Sequence, residues 1–196
     1  MKFKIGKTTV VLSFWFFTVV ILFLLWDKSG MALPMMGAMV AHESGHLLYL
    51  WMQRMQVEKL ELGCTGIRMR LKKDGALPFG VSMGLNLSGC LANLFLALLF
   101  GPYQSFWAVR FSAINSAVAI FNLLPMAGLD GGAMIRDLCI LILGPAKGLR
   151  TSAAFQMVLC AAGCAASAWW MLKSGVSLGL CALMAVFLCG VFDAKW

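Results

Sequence analysis

Residues 9–26, TVVLSFWFFTVVILFLLW, form a stretch without a single charge. A run of about 18 or more apolar residues is long enough to cross a bilayer as one helix. Backbone that faces lipid must satisfy its hydrogen bonds internally, which helices do. Lys2, Lys4 and Lys7 precede the run, as in a secretory signal. Its apolar part, however, exceeds the roughly 7–15 residues of such a signal, and no small-residue cleavage site follows. It therefore reads as a retained first helix. Further apolar runs at 32–52, 84–101, 107–125, 154–172 and 176–192 bring the expected number of spans to about six. Only 12% of the chain is charged, against about 25% in soluble domains. The mean hydropathy is +0.87. The expected fold class is an all-α polytopic membrane protein, with residues 1–196 as a single membrane-embedded domain. A shorter apolar helix at 132–144 reads as a half-span or a surface helix.

The net charge of +8 does not point to nucleic acid, because the basic residues gather in the breaks between apolar runs. Lys2, Lys4 and Lys7 flank the first run. Arg54, Lys59, Arg68, Arg70, Lys72 and Lys73 follow the second, Lys147 and Arg150 precede the fifth, and Lys195 follows the sixth. With six alternating helices all of these fall on one side. The positive-inside rule then places both termini in the cytoplasm, with a bacterial plasma membrane as the expected location. The seven cysteines show neither CxxC nor Cys–His spacing. Five of them lie in apolar runs, where a thiol behaves as a small hydrophobe.

Residues 53–75 are too polar to span. Within them Ile67, Met69 and Leu71 alternate with Arg68, Arg70 and Lys72. Period two is the signature of a strand with one apolar and one basic face. With KLEL before it and GCTG between, the stretch reads as a small membrane-surface β-hairpin after the second helix. It is either a ribbon resting on headgroups or an edge strand that pairs with an extended substrate.

The two histidines of the chain, His42 and His46, stand with Glu43 in HESGH, inside the second apolar run. On a helix, residues four apart share a face. Two imidazoles so placed can grip one zinc ion, with the glutamate beside the water that the ion activates. HExxH is a short pattern that occurs by chance. Within a spanning helix, though, ionisable side chains are costly and mark functional sites.

Zinc hydrolases usually carry three protein ligands, and no third histidine exists. Asp27, Glu58, Glu61, Asp74 and Asp193 lie in breaks or at run ends, and Asp137 has Arg136 beside it. Asp130 remains, in FNLLPMAGLDGG at 121–132. Pro125 and the neighbouring glycines make this poor spanning helix, and irregular backbone at membrane depth belongs where it lines a protein cavity or water. Taken alone, Asp130 fits equally a capping residue in a cytoplasmic turn.

HExxH in an apolar run, followed by Asn122-x-x-Pro125-x-x-x-Leu129-Asp130-Gly131, resembles the site-2 protease family of intramembrane zinc metalloproteases. SGCLANL at 88–94 is similar to that family's Gly-Pro-x-x-Asn segment. Gly89 and Asn93 are in place, and Cys90 stands where proline is usual. The resemblance covers roughly residues 5–145. In size and span count it is closest to the sporulation-type branch, without that branch's CBS domain and without the PDZ domain of the envelope-stress branch.

The resemblance implies one Zn2+ per chain held by His42, His46 and Asp130, with Glu43 as general base. It also implies that Asn122 binds the substrate backbone or the oxyanion. The implied substrate is a transmembrane or membrane-tethered protein, cut within or next to its membrane segment after local unwinding. The 57–72 ribbon, with Ile67, Met69 and Leu71, is a place to hold the unwound strand. The lipid bilayer and a regulatory membrane partner complete the expected surroundings. Two other readings stand beside this one. One is a catalytically silent membrane scaffold of the same fold. The other is a membrane metal transporter, which would want further polar residues along a path.

Overall fold

In a computed structural model, the structure describes residues 2–5, 8–12, 21, 24–25, 27–63, 66–71 and 77–174. Among these the regular elements run β1 (Lys2–Ile5), β2 (Thr8–Leu12), α1 (Ala32–Met52), β3 (Val57–Gly63) and β4 (Gly66–Leu71). They continue as α2 (Phe79–Phe100), α3 (Phe106–Asn122), α4 (Asp130–Leu143) and α5 (Pro145–Ser174). The chain divides into two compact units. The first comprises Met1–Leu77 and Leu87–Ala119, and the second Pro78–Asn86 and Ile120–Trp196.

The strands belong to the first unit and form one sheet in the order β1-β2-β3-β4. β1 and β2 are antiparallel, with Lys2 opposite Val11. β2 and β3 are parallel, with Thr9 opposite Lys59. β3 and β4 are antiparallel, with Leu62 opposite Ile67 and a register shift between Val57 and Lys59. This corrects one expectation. The helix expected from residue 9 does not begin there, since residues 9–12 belong to β2. Thr8, Thr9, Val10 and Val11 are all β-branched, stiff at χ1 and better suited to a pleated surface. Of the rest of that run, the described residues Ile21, Leu24 and Leu25 are helical and exposed. β3 and β4 pair antiparallel over the stretch expected as a hairpin, and they are half of a four-stranded sheet with β4 at its edge.

α1 matches the expected 32–52 run. Its start is held by Asp27, whose carboxylate accepts hydrogen bonds from the Ala32 amide at 2.6 Å and from the Ser29 amide at 2.9 Å and hydroxyl at 2.6 Å. Pro34 sits in the first turn, where no helical N–H is needed. At the other end the Gln53 and Arg54 amides bond Tyr49 O and Trp51 O. The helix buries Ala38, His42, Gly45, His46 and Leu50 on one stripe. Met39, Val40, Leu48 and Trp51 are exposed. A water-facing helix does the opposite, hiding its large apolar side chains. Small and polar residues inward with leucine and tryptophan outward is the pattern of helices packed in lipid.

Two of the described helices, Phe79–Phe100 and Pro145–Lys173, are long and apolar enough to cross a membrane, and only 22% and 17% of their apolar windows is buried within the protein. A soluble core helix would be mostly covered. On the first, Leu91, Phe95 and Leu98 are exposed; on the second, Val158 and Trp169. α3 matches the expected fourth run but ends at Asn122, three residues before Pro125, a residue that helices do not continue into. α5 begins nine residues before the expected 154 because Pro145 is pre-organised for a first helical turn. The expected span at 176–192 lies outside the described residues.

In the second unit α4 and α5 pack against each other through a buried Gln156, whose side-chain amide donates to Gly132 O at 2.7 Å. Asp137 accepts from the Ser82 hydroxyl and pairs with Arg136 at 3.1 Å. The segment between α3 and α4 turns through a buried Met126 and an extended Leu129, and α4 begins at Asp130.

Candidate metal centre

His42 and His46 project from successive turns of α1, and both are buried, at 6% and 9% exposure. Their Nε2 atoms stand 3.2 Å apart. The rings meet edge to face, with centroids 4.8 Å apart at 88°. The i, i+4 spacing thus places two imidazole nitrogens together in a site shielded from water.

The outer nitrogens are held from α2. His42 Nδ1 lies 2.8 Å from Asn93 Oδ1, and His46 Nδ1 lies 3.3 Å from Ser88 Oγ. Asn93 is fully buried. Its Nδ2 donates to Ala38 O and to Asn115 Oδ1, each at 2.8 Å. Asn115, also fully buried, donates to Phe111 O at 2.8 Å. Metal-ligating histidines almost always have their second nitrogen engaged in this way. Zinc–nitrogen bonds are about 2.0–2.1 Å, so two Nε2 atoms at this separation can reach one ion. The donor set fits zinc.

Two glycines make the arrangement possible. A Cβ on Gly45 would stand 2.5 Å from Ser88 O and 2.8 Å from the Ala92 Cβ, so this helix pair approaches closely only with glycine there. A Cβ on Gly89 would stand 2.5 Å from His46 Nε2 and 2.8 Å from His42 Cε1. Gly89 therefore leaves the space that the imidazoles occupy.

The other expected site residues fall as follows. Glu43 is half-buried on α1 between the histidines. Ile67, Met69 and Leu71 alternate along the edge strand β4 of the first unit. In the second unit, Asn122 is the last residue of α3. Asp130, half-buried, is the first of α4. Asp130 borders an open cavity of about 830 Å3 that Arg136, Arg150 and Gln156 also line. The residue that sequence reading missed is Asn115. Its signal was an amide in the apolar run 107–125, where an unpaired polar group would be costly.

No family model matches the chain. The site-2 protease from Methanocaldococcus jannaschii shares the fold at a TM-score of 0.68 and 20% identity, over 99% of this chain and 93% of that one. A Synechocystis sp. protein provisionally named a zinc metalloprotease is 30% identical over 123 residues, 58% of this chain and 32% of its own length. The chain thus spans about a third of the length of that curated relative. The resemblance to site-2 proteases is accordingly met in fold over nearly the whole chain, and the similarity in sequence to a zinc metalloprotease covers more than half of it. The likeness is to the site-2 protease family of zinc metalloproteases.

Proposed function

We propose that this chain is an intramembrane zinc metalloprotease that hydrolyses peptide bonds within or next to the membrane segments of membrane-tethered proteins. The observation that carries the reading is the buried His42–His46 pair, with Nε2 atoms 3.2 Å apart and His42 Nδ1 bonded to Asn93. Burying two imidazoles in an apolar helix is expensive unless they serve a site.

In this reading His42, His46 and Asp130 hold one zinc ion per chain. When bound, the ion acidifies a water and polarises the scissile carbonyl. Glu43 accepts the proton of the attacking water and passes it to the leaving amine. Asn122 donates its side-chain amide to the substrate backbone or to the developing oxyanion. A helical peptide bond is shielded by its own hydrogen bonds, so the substrate unwinds first, and glycine or proline near the cut eases this. The edge strand β4, through the backbone at Ile67, Met69 and Leu71, pairs with the unwound segment. The protein is multi-pass in a bacterial plasma membrane with cytoplasmic termini, and a membrane partner regulates it.

The test is co-expression of the chain with candidate membrane-tethered regulators. Wild type should cut one of them, and Glu43→Gln should leave it whole. Cleavage by Glu43→Gln at the wild-type rate would contradict the proposal.

A further inference from the structure

Two main-chain carbonyls decide where the proton of His42 sits. A carbonyl oxygen only accepts hydrogen bonds. The Asn115 amide atom facing Phe111 O is therefore its NH2 group, and its oxygen faces Asn93. The Asn93 atom that meets both Ala38 O and the Asn115 oxygen must be NH2, because both neighbours accept. That leaves the Asn93 oxygen toward His42 Nδ1 at 2.8 Å. An oxygen there requires a proton on Nδ1. In a neutral imidazole the lone pair is then on Nε2, the atom that faces His46.

We infer that Asn93, oriented by Asn115, is a positioning residue that locks His42 in its Nδ1–H tautomer and so puts the lone pair on Nε2, the atom that would ligate metal. Turning the Asn93 amide over would set its oxygen against Ala38 O and Asn115 Oδ1. It would also press its NH2 on Nδ1, driving the proton onto Nε2 where the ion must bind. All three groups are buried, and unmatched acceptors in a buried network are costly. His46 is held differently. At its Nδ1 stands the Ser88 hydroxyl, which donates or accepts by rotation and by itself dictates no tautomer. The inference rests on the proposed zinc site for its purpose but not for its geometry.

The test uses the full chain in detergent, labelled with 15N-histidine and stripped of metal by a chelator. With two histidines in the chain, His46→Ala isolates the His42 signals, which should show a protonated Nδ1 and a bare Nε2. In the His46-intact protein, Asn93→Leu should weaken zinc binding by about 10–100-fold, the usual effect of losing a group behind a ligand. Asn115→Leu should weaken it in the same direction. Asn115→Asp, as a neutral buried carboxyl, keeps an acceptor for the Asn93 NH2 and an O–H donor for Phe111 O, and should stay near wild type. A mere packing role predicts an unchanged His42 tautomer in Asn115→Leu, whereas loss of the lock should let Nε2 carry part of the proton in the His46→Ala background. A protonated Nε2, or wild-type zinc affinity in folded Asn93→Leu and Asn115→Leu, would overturn the inference. Should Asn93→Leu not fold, the pair at position 115 decides alone. Wild-type protein that binds no zinc yet shows the Nδ1–H tautomer would sink the proposed function and support the lock.

Discussion

Gly89 governs the space around the two imidazoles, and its effect is testable by one methyl group. In Gly89→Ala the added Cβ meets both rings at under 3 Å, so one ring must move. The expected result is a folded protein with zinc affinity reduced at least tenfold, read by metal competition; unchanged affinity would mean that the rings do not sit against α2. Glu43→Gln tests a different property. It removes the proton acceptor and leaves the histidines in place, so cleavage should fall by about 10^2–10^4-fold while zinc content holds. At this scale the sequence was informative where chemistry is local. His42, Glu43 and His46 declare themselves because their spacing lies within one helix. Asn115 did not, because its partner Asn93 is 22 residues away and only packing brings the two amides together.

Among the elements, α1 was legible and β2 was not. The apolar length of residues 32–52 and the charged break before them mark a helix, and Asp27 fixes where it begins. The half-buried Asp27 carboxyl is held below its ordinary value of 3.8 by the hydrogen bond from the Ser29 side chain and then by that from the Ala32 amide. A depressed carboxylate contributes stability above its unfolded pKa and loses it as pH falls through the lower folded value. Protection of the Ala32 amide against hydrogen exchange should therefore persist at neutral pH and decline only below about pH 3.8. In Asp27→Ala it should be low throughout; equal protection in both proteins would remove the capping role. The hydropathy of residues 9–26 could not reveal β2, because a buried strand and a spanning helix are both apolar. What decides is the pairing with β3 at Val57–Gly63, which no local window contains. The edge strand β4 carries its own prediction. If substrate pairs with its backbone, Met69→Pro removes a donor and should impair cleavage, while Met69→Ala should stay near wild type. Equal cleavage by all three, in zinc-loaded samples, would leave the sheet without a substrate role.

Across the whole molecule, composition foretold an inverted protein, and the described helices show it. Leucine, phenylalanine and tryptophan cover the outside of α1, α2 and α5, while His42, His46, Asn93 and Asn115 are buried. Water would not tolerate that surface, and lipid would not tolerate those polar groups without partners. The sequence could not supply the partners, since they come from helices far apart along the chain. The central proposal is that His42, His46 and Asp130 are zinc ligands. Metal analysis of the purified full chain tests it most directly. Wild type should carry one zinc per chain, and His46→Ala and Asp130→Ala should each lose most of it while remaining folded. Full zinc in Asp130→Ala would contradict the ligand set, and wild-type protein that holds no zinc would contradict the account as a whole.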